Sequence, residues 1–258
     1  MYFGYIENPK PKTQNPKPKT ENREPKTENR KPRTENRQPK KKFTIFTKKT
    51  MCFYMQQKDP IAKVQKRFKA LVQQPEMFLQ DENINGFAHP NVPIILDKSP
   101  EIITTNYTWG LLQSWAKDLD IRKNTLNARL ETLHEKPSFQ NIISNRCLII
   151  ATAFYEWHWN DEKGKSKQKF QINTTQELFA FAGLYSHWTN PNTGELYNTY
   201  TMLTTGANKT MEYVHNHKKR MPIILKPEDE THWLNPNNPP ENFGFPYEVE
   251  MVAFPVGS

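Results

Sequence analysis

Apolar and polar positions divide this chain into two unlike parts. From residue 51 onward, apolar runs alternate with polar, proline- and asparagine-rich stretches. Ile61, Val64, Phe68 and Leu71 recur at helical spacing, which predicts an amphipathic helix over 59–75. Residues 86–96 read as a loop followed by a short strand, and 101–110 as a strand ending at Trp109-Gly110. Residues 111–115 fit a helical turn or an extended surface segment. The run 146–157 is apolar almost throughout, as expected of one buried strand. Further strands are predicted at 170–172, 178–185, 197–205 and 221–225, with a hairpin turn at 190–194 and a short helix at 209–214. Many strands with few helices between them indicate an α+β or mainly β domain rather than a βαβ fold.

Residues 9–42 have a different pattern. They hold almost no apolar side chain and repeat every seven residues, as in Pro18-Lys19-Thr20-Glu21-Asn22 and Pro25-Lys26-Thr27-Glu28-Asn29. A proline in each unit and polar a and d positions exclude a coiled coil. Such a segment cannot bury enough surface to offset its ordering entropy, so 1–50 is expected to be a disordered tail. It has neither the apolar core of a signal peptide nor the character of a transit peptide. A basic nucleic-acid-binding tail is one reading; a translated upstream repeat, with the true start at Met51, is the other.

Charge follows the same boundary. The formal net charge is +9, but residues 1–50 carry 15 Lys+Arg against 5 Asp+Glu, and the remainder carries 21 against 22. Bulk basicity therefore says nothing about residues 51–258, and a nucleic-acid contact there needs a local patch. No apolar stretch approaches ~18 residues, so no membrane span is expected. Two cysteines, Cys52 and Cys147, make no disulfide framework and point to a reducing, cytoplasmic setting.

Four polar segments at the ends of apolar ones, 127–131, 154–157, 204–208 and 214–222, are candidates for chemistry. Glu156 lies in an apolar run between Tyr155 and Trp157, where desolvation would raise its pKa and suit it to acid–base work. The alternative is a buried ion pair with Arg129, Arg146 or Arg220. His215 and His217 flank Asn216, and one of them could act as acid or base; a His-x-His metal pair lacks further ligands, and no metal or other cofactor is expected. The adjoining Lys218, Lys219 and Arg220 are the best phosphate contacts of the near-neutral part. Trp109 and Trp115 are core residues or a stacking surface for bases. Cys52 directly follows Met51. If it became the first residue, its free α-amine and thiol could together capture an aldehyde as a five-membered thiazolidine.

Eight segments carry a resemblance: Met51-Cys52, Trp109-Gly110-Leu111, Asn127-Ala128-Arg129, Arg146-Cys147-Leu148-Ile149, Phe154-Tyr155-Glu156-Trp157, Ala182-Gly183-Leu184, Thr204-Thr205-Gly206-Ala207-Asn208, and His215 through Arg220-Met221-Pro222. In this order they resemble SOS-response-associated peptidase domains, the abasic-site processing proteins, over essentially all of 51–258. The resemblance implies a single β-rich domain of mainly antiparallel, barrel-like sheets with flanking short helices. It implies that Cys52 crosslinks the aldehyde of an abasic site in single-stranded DNA. Asn127 would position the amine or sugar, Glu156 would handle the proton of the amine, and His215 would open the sugar ring, with His217 as fallback. Arg129 and Arg220 would hold phosphates. Self-removal of the preceding residues and a lyase side activity are further implications, in a monomer that joins the nucleoid when bound to damaged DNA. The family often reads Cys-Gly-Arg where this chain reads Cys52-Phe53-Tyr54, so one DNA-binding arginine is missing and Tyr54 or Phe53 would stack instead. The competing classes are a Cys/His peptidase acting on peptides and a non-catalytic module for single-stranded nucleic acid.

Overall fold

A computed structural model describes residues 52–257, so the expected disordered tail lies outside the described residues. In chain order the elements are β1 (Tyr54–Gln57), α1 (Ile61–Phe68), β2 (Leu71–Val72), β3 (Asp81–Asn85), β4 (Ile94–Leu96), β5 (Ser99–Thr104), β6 (Thr108–Trp109) and β7 (Asn127–Arg129). They continue with β8 (Arg146–Ala151), β9 (Ala153–Trp159), β10 (Lys167–Thr174), β11 (Phe179–Thr189), β12 (Leu196–Gly206), α2 (Lys209–Val214), β13 (Arg220–Pro222), β14 (Ile224–Leu225), α3 (Glu230–Leu234) and β15 (Met251–Val256).

The strands form two sheets. One has the order β15-β10-β9-β1-β3 and is antiparallel throughout. The other follows β13-β12-β11-β8-β4-β5-β2, with β14 on β11 and with β6 and β7 lying parallel to β12. The expected β-rich, mainly antiparallel architecture with few short helices is therefore present.

The second sheet is buried on both faces, and its residues show why. Along β8, Cys147, Ile149 and Ala151 enter one apolar cluster, while Leu148 and Ile150 enter another. Along β11, Phe179 and Phe181 join the first and Ala180 and Ala182 the second. The first cluster fills the space between the sheets, where Met55, Phe154 and Ile172 of the smaller sheet meet it. The second lies under α1, α3 and the 130–142 segment, through Val64, Trp233, Leu130 and Ile142. Two-sided burial yields continuous apolar runs rather than alternation. At Gly183 a Cβ would lie 2.7 Å from Ile149 and 2.8 Å from Cys147, so any larger residue would force those side chains to move.

Several expectations need correction. The run 146–157 is two strands, broken at Thr152, which bonds back to the Gln56 carbonyl and sends β9 into the other sheet. The helix over 59–75 ends at Phe68; Lys69 adopts a left-handed conformation (φ 52°), and Leu71 pairs with Ile102 as β2. The strand at 101–110 is divided into β5 and β6, and residues 111–113 are buried coil rather than surface. The 221–225 strand is likewise divided, into β13 and β14. The helix at 209–214 and the hairpin at 190–194 form where expected. Asn208 Oδ1 caps α2 by accepting from the Met211 amide at 3.0 Å, and Gly194 takes the positive φ (74°) of the hairpin.

Candidate active site around Cys52

Four segments distant in sequence converge on Cys52. The residue itself lies two positions before β1, the strand held between β3 and β9 in the smaller sheet. The amide of Gly86 bonds the Phe53 carbonyl at 2.8 Å, and the Asn127 side-chain amide donates to the Cys52 carbonyl at 3.0 Å. Asn127 is placed by the parallel pairing of β7 with Met202 on β12.

Glu156 lies on β9 opposite Phe170 of β10 and shares the inward face with Phe154. Its neighbours Tyr155 and Trp157 face the other way, where Tyr54 packs edge-on against Trp157 at 5.0 Å. His215 ends α2. The chain then turns through Lys219 (φ 50°) back to β13, which brings the Arg220 carbonyl 2.9 Å from His215 Nδ1. A carbonyl only accepts, so Nδ1 carries the hydrogen, and in neutral imidazole Nε2 is left with its lone pair.

Cys52, Glu156 and His215 are each at most 2 % exposed. The Cys52 sulfur, a Glu156 oxygen and a His215 ring nitrogen lie within 4.8 Å of one another. Glu156 Oε1 lies 3.8 Å from His215 Nδ1, the nitrogen bonded to the Arg220 carbonyl, too far for a hydrogen bond. Burial raises the Glu156 carboxyl above its ordinary range, opposed by His215 and Cys52. Burial also pushes the Cys52 thiol up, and the neighbouring Glu156 adds to this. Among the described residues, Glu156 Oε1, His215 Nε2, Asn127 Oδ1 and Arg220 Nε are buried without a hydrogen-bond partner. An unsatisfied buried polar atom costs about 1–3 kcal/mol, so such a concentration at one place indicates a site prepared for a ligand.

The ion-pair reading of Glu156 does not hold for any of its three arginines. The Arg220 guanidinium is bidentate to Glu131 at 2.6 and 2.9 Å and also donates to the Thr204 carbonyl at 2.8 Å. Burial works against ionising Glu131, but the Arg220 hydrogen bonds, a backbone amide and the nearby positive charge outweigh it and hold its carboxyl below the ordinary value. Arg146 instead donates to carbonyls of the 233–238 segment. Arg129 projects outward, exposed, from β7.

Of the remaining predicted residues, Lys218 and Lys219 are exposed on the turn after His215. Trp115 is 47 % exposed. Trp109 is 0 % exposed, bonds the Leu126 carbonyl and stacks on Tyr200, so it offers no face to a base. Phe53 is likewise buried, against Phe87, and Tyr54 lies on the face of the sheet opposite Glu156. His217 is stacked on Trp159 at 3.6 Å, and it is His215 that joins Cys52. Sequence reasoning gave no role to Glu131 or Thr204. Both lie in polar segments marked as candidates, 127–131 and 204–208, but nothing in their spacing pointed to Arg220.

The family model described as SOS response associated peptidase (SRAP) matches residues 51–258. The chain belongs to that family. A relative from Bacillus subtilis (strain 168), abasic site processing protein YoqW, is 44% identical over 156 residues, 58% of this chain and 67% of that protein. Abasic site processing protein HMCES of Xenopus tropicalis is 31% identical over 180 residues, 58% of this chain and 53% of that protein. The matched stretch thus spans about two thirds of the former and about half of the latter. A crystal structure of a protein from Bacteroides thetaiotaomicron superposes with a TM-score of 0.71 at 31% identity, covering 80% of this chain and 92% of that one.

Proposed function

We propose that this protein captures abasic sites in single-stranded DNA by forming a covalent adduct through Cys52. The observation that carries the proposal is the enclosure of Cys52 by Asn127, Glu156 and His215, each with a buried polar atom that has no partner among the described residues. The names of the relatives supply the substrate class.

The chemistry requires Cys52 to be the first residue, through a start at Met51 followed by its removal or through self-cleavage. A free α-amine has a pKa of ~7.7–8.0, so part of it is neutral and nucleophilic near pH 7. His215 Nε2 takes the proton of the anomeric hydroxyl and passes it to the ring oxygen, which leaves as a hydroxyl as the ring opens to the aldehyde. The amine adds to that carbonyl, and Glu156, protonated more readily than an ordinary carboxyl, supplies the proton with which the carbinolamine oxygen leaves as water. The iminium nitrogen returns its proton to Glu156, the thiol adds to the imine carbon, its proton passes to the nitrogen, and the thiazolidine closes. One C–N bond and one C–S bond form, one water leaves, and no redox partner is needed. The second bond is intramolecular, which favours closure. Opening of the thiazolidine to the imine and addition of one water would reverse the reaction, and elimination from the imine would cut the strand as a lyase does.

An abasic site has no base to read, so recognition rests on phosphates and on stacking of neighbours. Arg129 and Lys218 are exposed and available for phosphates, Lys219 is exposed but shared with Glu212 at 3.7 Å, and Trp115 is available for stacking. Arg220, engaged by Glu131, is assigned the positioning of the His215 loop, although its charge still reaches Cys52.

A Cys/His peptidase is less well supported. Such a nucleophile depends on a lowered thiol pKa, whereas burial and Glu156 raise that of Cys52. To test the proposal, residues 51–258 would be produced with Met51 as initiator and mixed with a single-stranded oligonucleotide bearing one abasic site. A denaturation-resistant band is expected, absent in Cys52→Ala and retained in Cys147→Ala. Non-covalent binding alone would leave only a binding module.

A further inference from the structure

The group that lines the proposed reaction centre has a second competence. Thiolate sulfur, carboxylate oxygen and imidazole nitrogen are the donor types that zinc accepts together in a tetrahedral site. Here they come from Cys52, Glu156 and His215, none of them adjacent in sequence, with the donor atoms within 4.8 Å of one another. In a tetrahedral site with Zn–S of ~2.3 Å and Zn–N or Zn–O of ~2.0–2.2 Å, donors stand roughly 3.3–3.7 Å apart. Rotamer adjustments of about an ångström would close the set.

Two further observations favour a cation. Glu156 Oε1 and His215 Nε2 are buried without a partner among the described residues, so both have lone pairs to give. His215 Nδ1 is bonded to the Arg220 carbonyl, the outer hydrogen bond that commonly fixes the tautomer and orientation of a metal-binding imidazole. Charge also balances. One thiolate and one carboxylate neutralise a dication, and the nearby Arg220 is itself neutralised by Glu131. The alternative pair suggested by sequence, His215 with His217, is not what the fold assembles, because His217 is stacked on Trp159.

We infer that Cys52, Glu156 and His215 form a binding site for a zinc-class divalent cation, whose occupancy excludes an aldehyde from the same thiol. Binding releases the thiol proton to solvent and involves no change of oxidation state. The fourth position is open to water, or to the α-amine of Cys52 when that amine is free, which would close a five-membered N,S chelate. Three of the ligands are side chains, so the site does not depend on how the chain is processed or on DNA.

Cobalt(II) titration of the full-length chain tests this, because a cobalt–thiolate bond gives a charge-transfer absorption that other ligands do not. One equivalent of cobalt should produce the band, and zinc should displace it stoichiometrically. Cys52→Ser should abolish the band, and Cys147→Ser should leave it intact. His215→Gln should weaken binding by about tenfold or more. Far-ultraviolet circular dichroism and a thermal melt on each variant separate loss of ligation from loss of fold. A band that survives Cys52→Ser, disappears only in Cys147→Ser, or never saturates at one equivalent would overturn the inference. Failure of the DNA adduct would leave these results unaffected, and the reverse also holds.

Discussion

Asn127→Ala tests whether the reactive residue is held in place or merely enclosed. The Asn127 amide makes one buried hydrogen bond to the Cys52 carbonyl at 3.0 Å, and no other residue in the described hydrogen-bond network engages that carbonyl. Removing the donor leaves a buried acceptor unpaired, at a cost of about 1–3 kcal/mol. Asn127 Oδ1 is already without a partner, so the substitution also removes one unsatisfied atom, which offsets part of that cost. A net loss near 1 kcal/mol lowers the melting temperature of a domain this size by about 2–4 °C. The kinetic effect should be larger, because a displacement of about 1 Å in a reacting group can cost on the order of 10²-fold. The assay pairs a thermal melt with the pseudo-first-order rate of adduct formation on an abasic oligonucleotide in excess. A melt lowered by a few degrees, with the adduct rate unchanged, would refute the positioning role and leave Asn127 as an ordinary core residue.

Other substitutions probe the electrostatics. Glu156→Gln should abolish or severely slow adduct formation yet stabilise the protein near neutral pH. The folded-state pKa of Glu156 is raised, so its burial penalty is absent below the unfolded value of ~4.3, grows as pH rises toward the folded value, and is constant above it. The gain in melting temperature should therefore be small below pH ~4 and larger at neutral pH, and an equal gain at both would contradict the assignment. Glu131→Gln weakens the bidentate clamp on Arg220; the pair is partly exposed, so a stability loss of about 1 kcal/mol is expected, with the adduct rate falling as the His215 turn loosens. Replacing Lys218 and Lys219 by Gln should weaken single-stranded DNA binding irrespective of sequence and reduce the salt-dependence slope by about 1.4. A slope that does not change would remove both lysines from the interface.

Strand content was legible because apolar runs bounded by turn residues survive tertiary context. Helix α2 was legible because Asn208 caps it locally. The break at Thr152 was not, since strands buried on both faces lose the alternation that would mark where one ends, and the partner that breaks this run, Gln56, is 96 residues away. Helix α1 was overextended because pairing of Leu71 with Ile102 overrides local periodicity. Within the site, Cys52, Asn127, Glu156 and His215 could be named from ordered motifs, but their convergence depends on contacts between remote strands. Trp109 illustrates the limit: its motif marked it, yet only the packing against Tyr200 distinguishes a core ring from an exposed one.

The most direct test is the intact mass of the adduct formed by the Cys52-initiated protein with an abasic oligonucleotide. The account predicts the sum of the two components less one water, mapped to Cys52, and no adduct when a single uncleaved residue precedes it. An adduct of the same yield with the α-amine of Cys52 blocked, or one mapped to a lysine, would contradict the claim that amine and thiol act together.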